Sequence, residues 1–200
     1  MQRWKGGAKR VQPVSRRQAM GIYNRLRGED KHRDALLWAL GITTGLRISD
    51  LLKLRVEDLL DADEQAADSV EVRETKTGKT RGIRILSLAK AAYEDYRRTV
   101  KPLDTDPLFP SRSGDGAITR EQARRLVKKW CAESNLRGNY GTHTMRKTFA
   151  TIAYESSGHD PVATARITGH SNPSQLLRYI GQAPRTEQVI LGAMDRSFGS

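Results

Sequence analysis

Cysteine is nearly missing from this chain: one residue in 200, Cys131, cannot form an internal disulfide, which excludes a disulfide-stapled scaffold and fits a reducing cytoplasm. Long apolar runs are missing too. No stretch reaches the about 18 residues that a membrane helix needs, and Met1-Gln2-Arg3-Trp4-Lys5 lacks the apolar core of a signal peptide, so no membrane partner is expected. No cluster of metal-ligand type is visible. The acidic run Asp61-Ala62-Asp63-Glu64 lacks the glycine and terminal glutamate of a calcium loop and reads as a solvated connection. Acid is also in deficit, with 23 Asp and Glu against 35 Lys and Arg, a formal charge of +12. That excess points to a polyanionic partner, nucleic acid before a membrane surface.

What is present suffices for a folded domain. Hydrophobic content is 37%, spread through the chain and recurring at helical spacing. Residues 1–14 read as a basic arm or linker remnant carrying Arg3, Lys5, Lys9 and Arg10, closed off by Pro13. Ser15 predicts the N-cap of a helix ending near Gly28, and a second, more apolar helix is expected over 30–44. After Gly45 a new helix is expected from Leu46, with Arg47 and Asp50 three apart and Asp50 the candidate to orient the arginine.

Between Arg55 and Leu88 the period shifts towards alternation. Ser69–Glu74 and Arg81–Leu86 read as strands joined by a lysine-rich turn, Thr75-Lys76-Thr77-Gly78-Lys79-Thr80. Ser87 is expected to cap a helix to about Val100, and Thr119 with Gln122 forms a capping-box pattern for a helix to about Ser134. That helix carries a basic stripe, Arg120, Arg124 and Lys128, which together with Lys79 and Arg81 supplies candidate DNA contacts. A helix over 142–156 follows, then helices over 162–168 and 174–180, and an amphipathic tail from Pro184. The fold class this predicts is mainly α with a small antiparallel β-sheet, an α+β chain.

His143 and Arg146 leave one face of their helix a turn apart, and together can grip a small anion: arginine offers a planar fork of donors, histidine a group that titrates near neutrality. Alone, such a pair is usually a solvated face. It gains meaning from Arg47 in Thr44-Gly45-Leu46-Arg47-Ile48-Ser49-Asp50-Leu51, Lys76 in the turn, Gly169-His170-Ser171, and Tyr179 nine residues after that histidine.

In order and spacing these stretches, with Leu108-Phe109-Pro110-Ser111, resemble the tyrosine recombinases, or phage integrase family, over about residues 15 to 180. The resemblance implies a catalytic domain over 15–183 and a tail helix over 184–200 exchanged between subunits. It implies that Arg47, Arg146 and His170 hold the non-bridging oxygens of a phosphodiester, and that Tyr179 attacks phosphorus to give a 3′-phosphotyrosyl link. Lys76 would protonate the leaving 5′-oxygen, His143 would assist proton transfer, and Asp50 would support the site. No cofactor and no metal are implied. The implied partner is double-stranded DNA, bound as a homotetramer by a chain that is monomeric when free, in the cytoplasm at the nucleoid. Thr144-Met145 and Lys147 depart from the family's common pattern beside the His-x-x-Arg pair, and 14 residues precede Ser15 where family members usually carry a separate DNA-binding domain, so the chain reads as either an excised catalytic domain or a naturally short recombinase. A type IB topoisomerase-like activity and a non-catalytic DNA-binding regulator are the competing readings.

Overall fold

A computed structural model describes residues 10–112, 116–182 and 187–198 of the chain. The order is α1 (Arg16–Gly28), α2 (His32–Thr44), α3 (Ile48–Leu51), a 3-10 turn at Glu57–Leu59, and β1 (Ser69–Arg73) with β2 (Thr80–Arg84). Then come α4 (Ser87–Val100), α5 (Arg120–Glu133), α6 (Thr142–Ser156), α7 (Pro161–Thr168), α8 (Pro173–Ile180) and α9 (Glu187–Phe198). Two units are resolved, one running to Ile152 and one beginning at Ala153, a division that differs from the expected boundaries at 183/184. The expected basic arm lies outside the described residues up to Lys9. Its last part is not a free lead: Gln12 N–H donates to Asn139 O (3.0 Å), Val14 N–H donates to Thr148 Oγ1 (3.0 Å), and Val14 is buried.

In the first unit α2 is the axis. Ala35 through Leu40 are buried without interruption, so this helix has no solvated stripe and is enclosed, packing on α1 and α4. Trp38 donates its indole N–H to Ala19 O (2.9 Å) and meets Trp130 of α5 edge to face, with centroids 6.0 Å apart. Both expected N-terminal signals for α1 and α5 are present. Ser15 with Gln18, and Thr119 with Gln122, exchange reciprocal side-chain and backbone bonds that satisfy otherwise orphaned N–H groups.

Other boundaries shift for local reasons. Asp30 adopts a left-handed backbone (φ 55°), so α2 starts at His32 rather than at Asp30. Arg47 is extended (φ −69°, ψ 147°) and precedes α3, so the helix expected from Leu46 begins at Ile48. Ser87 does not cap α4; the extended Leu86 does, through its carbonyl, and no side chain bonds there. The strands pair antiparallel from Ser69↔Arg84 to Arg73↔Thr80, with Val70, Val72 and Ile83 inward. Glu74 and Leu86, expected as strand ends, instead enter the turn and the α4 cap.

Two glycines let α6 approach α2. A Cβ at Gly41 would lie 2.4 Å from Met145 Sδ, and one at Gly45 would lie 2.2 Å from Phe149 Cδ1. Gly45 also ends α2 in the left-handed conformation at φ 63°, which a side chain disfavours. Thr144, Met145, Arg146, Thr148 and Ala150 of α6 are buried; Phe149, Ile152 and Ala153, expected inward beside Met145, are half-buried.

Gly45→Ala is expected to lower unfolding free energy by more than about 1 kcal/mol, the left-handed penalty plus the Phe149 clash. Gly21→Ala, on the open face of α1 with nothing near its Cβ, is expected to raise it by about 0.5–1 kcal/mol. Urea unfolding midpoints at constant m-value check both directions.

Candidate active site

The first unit brings four of the six predicted catalytic residues to one cavity of about 320 Å³, lined by Arg47, Lys76, His143 and Arg146, together with Ser49, Thr75, Thr142 and the predicted DNA contact Arg120. Arg47 reaches it because the chain leaves Gly45 in a left-handed turn and passes through an extended residue before α3 begins. His143 and Arg146 reach it from the first turns of α6. That helix end is closed by Thr144 Oγ1 accepting from Gly141 N–H (3.1 Å), and its positive pole adds to the attraction for an anion. Arg146 is buried, and its guanidinium donates to Gly45 O, so the glycine that admits α6 also anchors the arginine. The ring of His143 is exposed, but crowding by surrounding protein and then the charges of Arg146, Lys147 and Arg47 push its pKa below the ordinary histidine value. It therefore stands neutral at pH 7 and can accept a proton.

Two buried carboxylates hold this cationic wall. Sequence reasoning assigned Asp50 to Arg47, but the arginine donates from Nη1 to Glu74 Oε2 (2.9 Å). Asp50 serves the turn instead: its Oδ1 accepts from Thr75 N–H (2.9 Å) and Thr75 Oγ1 (2.6 Å). Glu74, 4% exposed, also accepts from Thr77 Oγ1 (2.9 Å) and Arg81 Nη1 (3.1 Å). Lys76 lies between two threonines that are each tied to a buried carboxylate, which fixes the loop while leaving its own side chain exposed. Burial would raise the Glu74 pKa, yet hydrogen bonds from Arg47, Thr77 and Arg81 outweigh it and hold the carboxyl at about 2. Glu74 went unrecognised because it reads as one more alternating residue of a strand. Its signal was position, two residues before the turn lysine.

The remaining DNA-contact candidates separate. Arg120 lines the cavity, whereas Arg124, one turn on, is exposed and paired with Glu121 (2.7 Å), and Lys128 is exposed. Arg81 is committed to Glu74, and Lys79 stands exposed at the turn.

The second unit holds the other two predicted residues. Asp160 caps α7 through Oδ1, accepting from Val162 N–H (2.7 Å) and Ala163 N–H (3.1 Å), and the helix closes at left-handed Gly169 with His170 N–H donating to Ala165 O (3.0 Å). Asn172 then caps α8, accepting from Gln175 N–H (2.8 Å). This turn sets the His170 ring 5.0 Å, centroid to centroid, from that of Tyr179 on α8, tilted by 45°. His170 Nδ1 lies 2.7 Å from Thr168 Oγ1. Among the described residues no group of His, Cys, Asp and Glu is placed to hold a metal ion, and no helix is long and apolar enough to cross a membrane.

The described chain is thus helical with a small hairpin, a cavity of convergent cations in one unit and a histidine ring beside a tyrosine in the other. The chain belongs to the phage integrase family, which it matches over residues 9–185. It is 38% identical over 149 residues to "Probable integrase/recombinase YoeC" of Bacillus subtilis, covering 74% of this chain and 77% of that one. It is 28% identical over 183 residues to tyrosine recombinase XerC of Caldanaerobacter subterraneus subsp. tengcongensis, covering 84% of this chain and 49% of that protein, so it spans about half of that relative's length. Among solved structures, the XerH site-specific recombinase bound to difH substrate matches with a TM-score of 0.71 at 18% identity, over 98% of this chain and 57% of that one, a likeness of fold.

The Glu74 carboxylate gives an acid limb of known sign. Its folded pKa lies below the ordinary 4.5, so its stabilisation is present in full above about pH 4.5 and is lost as pH falls towards about 2, roughly 3 kcal/mol in all. Glu74→Gln is expected to cost about 3 kcal/mol at pH 7, by leaving two arginines without their counter-charge, and to flatten the loss between pH 4.5 and 2. Urea titrations of both chains at pH 7, 4.5 and 3 measure this; an unchanged acid limb in the variant would remove Glu74 as its source.

Proposed function

We propose that this chain is a site-specific DNA recombinase that breaks and rejoins strands through a covalent 3′-phosphotyrosyl intermediate. The observation that carries this is the convergence of Arg47, Lys76, His143 and Arg146 on one cavity, in a chain whose second unit sets His170 against Tyr179. A phosphodiester is an anion whose displacement concentrates charge on its non-bridging oxygens, and two fixed guanidiniums stabilise that charge without reorganising. Arg47 and Arg146 bind those oxygens, joined by His170. Tyr179 Oη attacks phosphorus, the bond to the 5′-oxygen breaks, and Lys76 supplies the proton that the leaving oxygen takes up. His143, neutral near pH 7, accepts the tyrosine proton or orients the phosphate.

The ester conserves the phosphate bond, so a second 5′-hydroxyl reverses the attack without a nucleotide cofactor. Arg120 extends the wall towards a neighbouring backbone phosphate, and Lys79, Arg124 and Lys128 add exposed charge for the duplex. DNA at the nucleoid is the partner. A tetramer on two duplexes accounts for reciprocal exchange, with exposed Leu191 and Met194 of α9 as the contact between subunits; sedimentation of the DNA complex reads that stoichiometry.

The test is a library of randomised nicked duplexes in which cleavage releases a short strand and traps the intermediate. The unsubstituted chain is expected to yield a protein–DNA adduct stable to denaturing electrophoresis, and Tyr179→Phe to yield none. An adduct that persists in the phenylalanine variant, or none from any duplex with the unsubstituted chain, would contradict the proposal.

A further inference from the structure

We infer that Thr168 is a positioning residue that fixes which ring nitrogen of His170 carries the proton. Thr168 is 2% exposed and its Oγ1 lies 2.7 Å from Thr164 O and 3.4 Å from Ala165 O. Thr168 Oγ1 donates to these carbonyl oxygens, which can only accept, so its single hydroxyl proton is directed to them. At its 2.7 Å contact with His170 Nδ1 the threonine oxygen is therefore the acceptor, and Nδ1 is the nitrogen that bears hydrogen.

The backbone makes this arrangement rigid. Thr168 is the last residue of α7, Gly169 turns left-handed at φ 68°, and His170 N–H returns to Ala165 O. Thr164 Oγ1 donates to Asp160 O (2.6 Å) and Thr168 Oγ1 to Thr164 O (2.7 Å), the same one-turn-back bond at both ends of α7, and the second hydroxyl also meets the imidazole. A neutral ring protonated on Nδ1 has its accepting lone pair on Nε2. Nε2 accepts while the ring is neutral and donates to a phosphate oxygen once the ring is protonated. Valine has the shape of threonine without the oxygen, and a neutral imidazole released from such a bond reverts to carrying its proton on Nε2, which then faces the ligand as a donor without charge. Thr168 thus decides the chemical character of the face that His170 offers. The catalytic consequence rests on the assignment of His170 to phosphate binding, whereas the tautomer does not.

The experiment compares the full chain with Thr168→Ser, Thr168→Val and Thr168→Ala by two readouts. Long-range nitrogen–proton spectra of the histidine-labelled protein, taken where the ring is neutral, report the tautomer of His170. The trapped-adduct assay on nicked duplexes reports the cleavage rate. Full chain and Thr168→Ser are expected to show the proton on Nδ1 and to cleave within about threefold of each other. Thr168→Val and Thr168→Ala are expected to move the proton mainly to Nε2 and to cleave about 10- to 100-fold more slowly, the range for removing a group that orients a ligating histidine. An unchanged tautomer in both apolar variants would overturn the inference, and a changed tautomer with an unchanged cleavage rate would overturn its catalytic consequence. Should one apolar variant fail to fold, the other carries the same two expectations. If the unsubstituted chain yields no adduct, the recombinase reading falls, and the spectra still decide what Thr168 does.

Discussion

Like charges crowded into one cavity repel, and this is the constraint on which the first unit depends. Arg47, Lys76, Arg120 and Arg146 line a space of about 320 Å³. Two unit charges about 6 Å apart at an effective dielectric of about 20 cost roughly 3 kcal/mol, so the set needs counter-charge that does not fill the cavity. Glu74 supplies it from behind. The carboxylate is buried at the root of the hairpin, takes bonds from Arg47, Arg81 and Thr77, and stays ionised far below the ordinary range. Asp50 plays the companion part on Thr75. Each acid touches the frame of the site.

The fold serves this constraint at its closest approaches. α2 is enclosed on all sides, and it is relieved of side chains at Gly41 and Gly45, where α6 comes in. The same Gly45 turn that makes room for Phe149 exposes a carbonyl to Arg146 and redirects the chain so that Arg47 is extended. Stability and site geometry are thus one problem at this point in the chain. A side chain there strains the backbone and also shifts an arginine. In the second unit the equivalent economy lies in the turn Thr168-Gly169-His170, where a helix end, a tautomer and the ring facing Tyr179 are set together.

Much of this was legible in the residues, for identifiable reasons. The cavity-lining set Arg47, Lys76, His143 and Arg146 followed from an order and spacing that resemble the tyrosine recombinases, and the N-cap at Ser15 and the capping box at Thr119 from the short-range chemistry of helix starts. What stayed hidden was long-range. Glu74 is 27 residues from Arg47, and no local pattern separates a strand carboxylate that pairs with an arginine from one that faces water. Asp50 was given to Arg47 because it is near in sequence, whereas extended backbone at Arg47 and the turn at Thr75 carry the two apart. Arg120 left its apparent stripe for the same kind of reason: helical spacing places it with Arg124 and Lys128, but the first turn of α5 lies at the cavity wall.

In the proposed reaction Arg47 and Arg146 act by neutralising the charge of one phosphate. The measurement that reaches it most directly replaces a non-bridging oxygen of the cleaved linkage with methyl, which removes that charge while keeping the bond that breaks. On the native phosphodiester Arg146→Ala is expected to lose cleavage by about 3–4 kcal/mol of barrier, the scale of removing one fixed transition-state donor. On the neutral methylphosphonate the same variant is expected to approach the unsubstituted chain. An equal loss on both linkages would show that Arg146 holds the fold and does not neutralise the phosphate.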